Sequence, residues 1–252
     1  MLSIVGGTTL LAVNTITWLF RSLRGDVRLG RQAISAQIVR IGTRSIGIVL
    51  VVSGCIGLIL AMAMFPPLEQ FGQQASIANI VAIAITRELG PMISAIVLTG
   101  FAGASIAAEL GTMVVGEEIE ALESHALNPI RFLVLPRLIA TVVSLLVLTV
   151  MADIMAILAS AIVTTTAFGV SWQVYIDNTL TELSTMDFMT GMIKAATFAT
   201  MLAGLACYNG LKVSGGAAGV GKATTDTVVQ TIVSVIIVDM LYTAVFLQLG
   251  WT

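Results

Sequence analysis

The chain has 252 residues, a formal net charge of −2 and a mean hydropathy of +1.01; 57% of its residues are hydrophobic and only 10% are charged. A water-soluble domain carries about a quarter charged residues, and long windows such as Ile46 to Phe65 and Leu138 to Met151 hold no charge at all. Their polarity runs unbroken rather than alternating over segments of about 10 residues, which argues against a transmembrane β-barrel and for an all-α, polytopic helical membrane protein.

In chain order, residues 4–23 come first. The stretch "IVGGTTLLAVNTITWLF" is apolar but broken by Asn14 and threonines, and it ends at Trp18, Phe20, Arg21 and Arg24. It reads as an interfacial helix lying in the headgroup layer, with a first span as the alternative. No charged n-region or cleavage site marks a cleaved signal peptide. Residues 24–44 read as a basic connector. Five spans are expected at about 45–65, 77–100, 138–168, 188–209 and 227–249, all within one permease-like domain covering 1–252. Pro66-Pro67 is expected to stop the first of them, and the third is long enough to tilt. No internal repeat and no low-complexity tail are visible.

The cations set an orientation. Of the 12 Lys and Arg, Arg21, Arg24, Arg28, Arg31, Arg40 and Arg44 precede the first span; Arg131 and Arg137 flank the loop between spans two and three, and Lys212 and Lys222 the turn between four and five. The other loops and the C-terminus have none. The positive-inside rule then puts the N-terminus in the cytoplasm and the C-terminus on the far side.

That orientation places the densest charge cluster, "VVGEEIEALESHALNP", in a cytoplasmic loop. Val115, Ile119, Leu122 and Ala126 form one helical stripe, while Glu117, Glu118, Glu120 and Glu123 fall mainly on the other faces. A short amphipathic helix is expected at 116–127, about three turns long, stopped by Asn128-Pro129. A lipid-surface helix favours Lys and Arg on its polar face, so the acidic face suits a basic protein groove; a solvated connector is the plain alternative. His125 sits on the polar side, with no Cys or His nearby to complete a metal site.

Arg87, Glu88, Asp153, Lys194 and Asp239 lie in or near spans. An ionisable group at mid-bilayer costs roughly 2.5–3.5 kcal/mol on insertion scales and therefore faces a partner or a wet cavity. Gly90-Pro91 follows Arg87-Glu88 and loosens the helix there. Lys194 and Asp239 carry opposite charges on spans four and five. A structural ion pair and a polar lining for a substrate route both fit this pattern. Asp153 has no evident role, and Glu109 reads as solvated. The stretch Gly215 to Thr224, "GGAAGVGKAT", mimics a phosphate-binding loop through Gly216, Gly221 and Lys222. It has Ala223 where the magnesium-binding hydroxyl belongs and no preceding strand, so it reads as a flexible turn. Gly54-x-x-Gly57 and Gly100-x-x-Gly103 suit close helix packing. Cys55 and Cys207 fall in apolar runs and read as core residues without a disulfide. No catalytic constellation is present.

The stretch Arg87 to Arg137, "RELGPMISAIVLTGFAGASIAAELGTMVVGEEIEALESHALNPIRFLVLPR", resembles the MlaE-type permeases, also called YrbE- or TGD-type, and "AAGVGKATTDTVV" (Ala217 to Val229) resembles the same family's turn before its last span. The likeness covers about residues 33–250. His125 departs from it, standing where a small residue is expected. The resemblance implies the membrane subunit of an ABC transporter that works with MCE proteins: a homodimer with an N-terminal interfacial helix, five spans and a cytoplasmic coupling helix. Glu117, Glu118, Ile119, Glu120, Leu122 and Glu123 would seat in a groove of a separate ATPase subunit, itself paired with a small STAS-type regulatory protein. ATP and magnesium would reside on that partner and no cofactor on this chain. A hexameric periplasmic MCE protein would receive or deliver phospholipid, or a related lipid, at a bacterial inner membrane, in the service of outer-membrane lipid asymmetry. Nucleic acid is not an expected partner. Glu88, Lys194 and Asp239 match polar features of the family's membrane domain, with Arg87 beside them. An ion-driven secondary transporter would show inverted repeats and paired broken helices, and a membrane-embedded lipid-metabolising enzyme would need converging His, Asp or Cys groups; neither pattern is found.

Overall fold

Every long apolar window of the sequence is helical in the computed structural model, which describes residues 31–251 and Thr17. The expected interfacial helix at 4–23, Thr17 apart, lies outside the described residues, as do Arg21, Arg24 and Arg28. Five helical stretches are long and apolar enough to cross a membrane: Gln32–Gln70, Gln74–Val115, Ile130–Thr166, Thr185–Leu211 and Gly216–Leu249, here spans one to five. No strand occurs among the described residues. The chain is therefore a multi-pass helical membrane protein.

Span one joins α1 (Arg31–Ile38), a π-helical segment (Val39–Thr43) and α2 (Arg44–Gln70). Two expectations are corrected here. The basic connector is helical from Arg31 onward, and Pro66-Pro67 lies inside α2 instead of ending it. The proline nitrogens leave the carbonyls of Met62 and Ala63 without helical donors, but this falls in the last two turns, where few bonds depend on it.

Span two begins with a 3₁₀ turn (Gln74–Ser76) and contains α3 (Ile77–Ala84), α4 (Gly90–Leu98) and α5 (Ala104–Val115). Two π segments, Ile85–Leu89 and Thr99–Gly103, interrupt it. The short helix α6 (Glu118–Ser124) follows, and then span three: a π segment (Ile130–Val134) and α7 (Leu135–Thr166). Pro91 and Pro136 each stand two residues past the end of a π segment. Proline removes the donor for the carbonyl four residues earlier, and the wider turn is the backbone's accommodation of that loss. Asn128 does not merely end α6. Its Oδ1 accepts from the N–H groups of Ile130 (3.0 Å) and Arg131 (3.3 Å), capping span three with Pro129 in its first turn.

A helix absent from the sequence reading, α8 (Trp172–Glu182), separates span three from α9 (Thr185–Leu211), which is span four. Span five, α10 (Gly216–Leu249), starts eleven residues before the expected 227. The glycine-rich stretch read as a flexible turn is thus the first turns of a helix. The break between the two helices spans residues 212–215, and Gly215 and Gly216 at its end have positive φ (87° and 69°), a region open to glycine.

The described chain divides into two compact units, and each takes a segment from every span. The first comprises the described residues up to Ser45, Ala95–Leu145 and Thr197–Ile236. In it the Asn209 amide donates to Thr227 Oγ1 and Gln230 Oε1, both at 3.0 Å, tying span four to span five. The second comprises Ile46–Ser94, Leu146–Ala196 and Ile237–Thr252. Its core collects Ala61, Phe65, Ile77, Val81, Ile85, Ala156, Val163 and Tyr175, with Phe65 stacked on Phe168 at 3.7 Å between ring centroids. The helix α8 docks there. The Tyr175 hydroxyl bonds Ser160, and the Asn178 amide donates to the Ala75 carbonyl at 2.9 Å.

Small residues permit the close approaches. A Cβ on Gly57 would overlap the Ala156 main chain, and one on Gly191 the Thr86 carbonyl. Of the two glycine pairs singled out in the sequence, only Gly57 of the first is at such range: Gly54 and Gly103 make only ordinary contacts and Gly100 has open space around it. Replacing Gly57 by valine is expected to cost about 1–3 kcal/mol through overpacking, seen as a lower melting temperature in detergent, whereas Gly100→Ala leaves it unchanged.

Candidate functional site

Span four organises the charged residues of the second unit. Asp187, Thr190 and Lys194 follow one another at helical spacing on α9 and face span two. Asp187 and Ser184 cap the helix reciprocally: Asp187 Oδ2 accepts from the Ser184 N–H at 2.8 Å, and the Asp187 N–H donates to Ser184 Oγ at 3.2 Å. The other carboxylate oxygen of Asp187 holds Arg87 Nε. The side chain of Asp187 is 2% exposed, so this pair is shielded and its removal would leave a buried charge.

Two turns along, the Lys194 ammonium is fully buried and surrounded by acceptors. It ion-pairs with Glu88, reaches Asp239 Oδ1 at 2.9 Å and donates to Thr243 Oγ1 at 3.0 Å. The ammonium thus donates to Glu88 and Thr243 and holds Asp239 at ion-pair distance. The Thr243 hydroxyl also lies 3.1 Å and 3.2 Å from the two Glu88 oxygens and 3.0 Å from the Asp239 carbonyl. Spans two, four and five are therefore bound by one ammonium. The π segment at Ile85–Leu89 sends the adjacent Arg87 and Glu88 to different partners, Asp187 and Lys194. A small cavity opens beside them, lined by Arg87, Glu88, Thr190, Lys194, Thr243, Phe246 and Trp251. It is polar on one wall and aromatic on the other, with the Phe246 and Trp251 rings 5.7 Å apart.

Of the sequence-selected residues, Glu88, Lys194 and Asp239 converge and Arg87 joins the same cavity. Asp187 and Thr243 were not singled out. The Ser184-x-x-Asp187 spacing is a capping-box signal that would have found the first, while Thr243 carries no sequence signal of its own. Asp153 is buried, with Oδ1 lacking a partner among the described residues, and it packs against Gly90 so closely that a Cβ there would overlap it.

In the first unit Glu109 is not simply solvated. Its Oε1 lies 2.8 Å from Arg40 Nη1 and 3.2 Å from Arg137 Nη2, and Arg137 is buried and also donates to the Leu133 carbonyl at 2.8 Å. The acidic helix α6 also belongs here. It spans seven residues, two turns instead of the expected three, because Glu117 and Ala126 both adopt φ of +58° and end the helical path on either side. Ile119 and Leu122 are half-buried, whereas Glu117, Glu118, Glu120, Glu123 and His125 are exposed.

Five helices long and apolar enough to cross a membrane, an ionic centre joining spans two, four and five and an exposed acidic helix between spans two and three fit a membrane transport subunit. The chain belongs to the permease MlaE family, whose model matches residues 34–245. Similar proteins include probable ABC transporter permease proteins of Rickettsia felis (33% identity over 85% of this chain and 83% of that one) and Rickettsia prowazekii (34%, with the same coverage). Another is the chloroplast protein trigalactosyldiacylglycerol 1 of Arabidopsis thaliana, 34% identical over 84% of this chain and 61% of that one.

Replacing Lys194 by methionine leaves Glu88 and Asp239 facing each other without a cation, an expected loss of about 3–5 kcal/mol. Adding Glu88→Gln and Asp239→Asn should restore most of it; melting temperatures of the purified variants in detergent measure both effects.

Proposed function

We propose that this chain is the permease subunit of an ABC transporter that moves phospholipid, or a related lipid, between the inner membrane and a periplasmic MCE protein. The observation that carries the ATPase part is α6: two half-buried apolar residues, Ile119 and Leu122, under an exposed cap of four glutamates. An acidic, protruding helix offers its charges to a basic protein groove. ATP and magnesium belong to that partner, which a small STAS-type protein accompanies. Since the cations crowd the same loops as α6, the positive-inside rule places this side in the cytoplasm and the C-terminus in the periplasm.

A second copy of the chain is the expected cover for span five. Only 11% of its most apolar stretch is buried, against 33–44% in the other four, and Val229, Val233, Ile236, Ile237, Met240 and Leu241 are all exposed. Two copies, with spans one, two and five facing each other, would enclose an apolar chamber for acyl chains. Arg87, Glu88, Lys194 and Asp239 would form the polar part of the route. Lipid as cargo is further supported by the plant relative, whose name is that of a galactolipid. ATP-driven closure of the partner would push through α6 and narrow the chamber.

The double substitution Glu117→Lys with Glu120→Lys is expected to strip the ATPase from the purified complex while the permease stays monodisperse. A full ATPase complement on that variant would overturn the docking assignment. If the polar centre handles cargo, Lys194→Ala combined with Glu88→Gln and Asp239→Asn should lower lipid transfer to the MCE partner at least tenfold in a variant whose melting temperature is preserved; undiminished transfer would make the centre purely structural.

A further inference from the structure

Arg40 and Glu109 of the ionic chain Arg40–Glu109–Arg137 lie in the wall of a separate pocket, contained wholly in the first unit. It is an open pocket lined by Gln37, Arg40, Ile41 and Arg44 from span one and by Phe101, Ala102, Ser105, Ile106 and Glu109 from span two. Its charge is unbalanced. Glu109 is the one carboxylate in the lining and is already shared by two guanidiniums, at 2.8 Å and 3.2 Å. Arg44 adds another cation, and among the described residues no carboxylate lies within ion-pair distance of it. The side chains of Gln37 and Ser105, further donors, likewise have no hydrogen-bond partner among the described residues.

Arg40 and Arg44 are exposed at the pocket mouth, and Arg40 is tied to a buried ionic chain. Buried Arg137 fixes Glu109, and Glu109 in turn fixes Arg40, so the guanidinium is held in place before any ligand arrives. The floor is apolar: Ile41, Ala102 and Ile106 are buried, and Phe101 presents an exposed ring at the rim. Fixed N–H donors, surplus positive charge and an adjoining apolar wall in a membrane-embedded element match an amphiphile with a phosphate head.

We propose that this pocket binds the phosphate diester of an anionic membrane phospholipid, with Arg40 and Arg44 on the phosphate oxygens and an acyl chain along Phe101. The inference requires only that the chain sits in a bilayer, so it stands or falls separately from the transport reading. The site is also distinct in its residues from the Lys194 centre.

The test uses the full chain purified in detergent and exposed to equal amounts of phosphatidylglycerol and phosphatidylcholine, with bound lipid counted by native mass spectrometry. The wild type should retain phosphatidylglycerol in preference. Arg44→Gln, which breaks no ion pair among the described residues, should reduce that retention on the order of tenfold, the worth of one charged hydrogen-bonding group. Lys222→Gln, which removes an exposed cation of the same unit outside the pocket, should leave it unchanged. Equal retention of the two lipids, or equal loss in the Arg44 and Lys222 variants, would overturn the site. Displacement of the lipid by an equimolar amount of inorganic phosphate would identify a free-phosphate site instead and overturn the lipid assignment.

Discussion

An ammonium with no exposure, on a helix that crosses hydrocarbon, has to be matched by acceptors, and Lys194 imposes that demand on spans two, four and five together. The cost of burying such a charge unpaired is several kcal/mol, so the helices are constrained to bring Glu88, Asp239 and Thr243 within reach. The packing around the lysine is arranged to allow it. Gly191, one turn before Lys194, lies so close to the Thr86 carbonyl that no side chain fits. Any larger residue there would push span four outward and lengthen the very bonds that compensate the charge. The capping pair at Ser184 and Asp187 fixes where α9 begins, and Asp187 then binds Arg87, so the start of the helix and its charged face are set by the same carboxylate.

The two units carry opposite electrostatic characters. In the second, Arg87 and Lys194 face Glu88, Asp187 and Asp239, and each cation is already bound to a carboxylate of the protein. In the first, the pocket wall has more guanidiniums than carboxylates, while the acids concentrate on α6, away from that lining. A centre whose cations are internally matched holds helices and presents few unmet donors. A centre with surplus cations attracts an external anion, and an exposed acidic helix attracts a basic surface. The internally matched charges, the surplus guanidiniums and the exposed acids thus fall on different residues.

Much of this was legible in the sequence because hydrocarbon leaves few alternatives. Runs without charge had to be helices, and the isolated Lys194 and Asp239 had to find partners. What was missed depends on local bonding that composition does not record. Proline was read as a stop at Pro66-Pro67, yet near a helix end it forfeits few bonds, and α2 runs on to Gln70. Glycine was read as a break at 215–224, yet only Gly215 and Gly216 leave helical geometry, and the rest propagate the helix into an apolar stretch. The amphipathic stripe located α6, but its length was overestimated because left-handed φ at Glu117 and Ala126 is invisible to periodicity. Glu109 looked solvated because its partners, Arg40 and Arg137, are far away in sequence and meet it only through the fold.

The π segments of span two have a consequence of their own for how such a helix tolerates change. Each widened turn accommodates roughly one extra residue, and each residue of an α-helix accounts for about 100° of rotation. Deleting a single residue within Ile85–Leu89 would let the turn relax to ordinary α-helical winding with little change in length. Residues on one side of the deletion would hold their azimuth while those beyond it adjusted along the axis. An insertion elsewhere in the span, with no widened turn to absorb it, would swing Glu88 or Glu109 away from its cation. Span two thus contains two places where the phase of a helix is adjustable, and between them a stretch in which it is not.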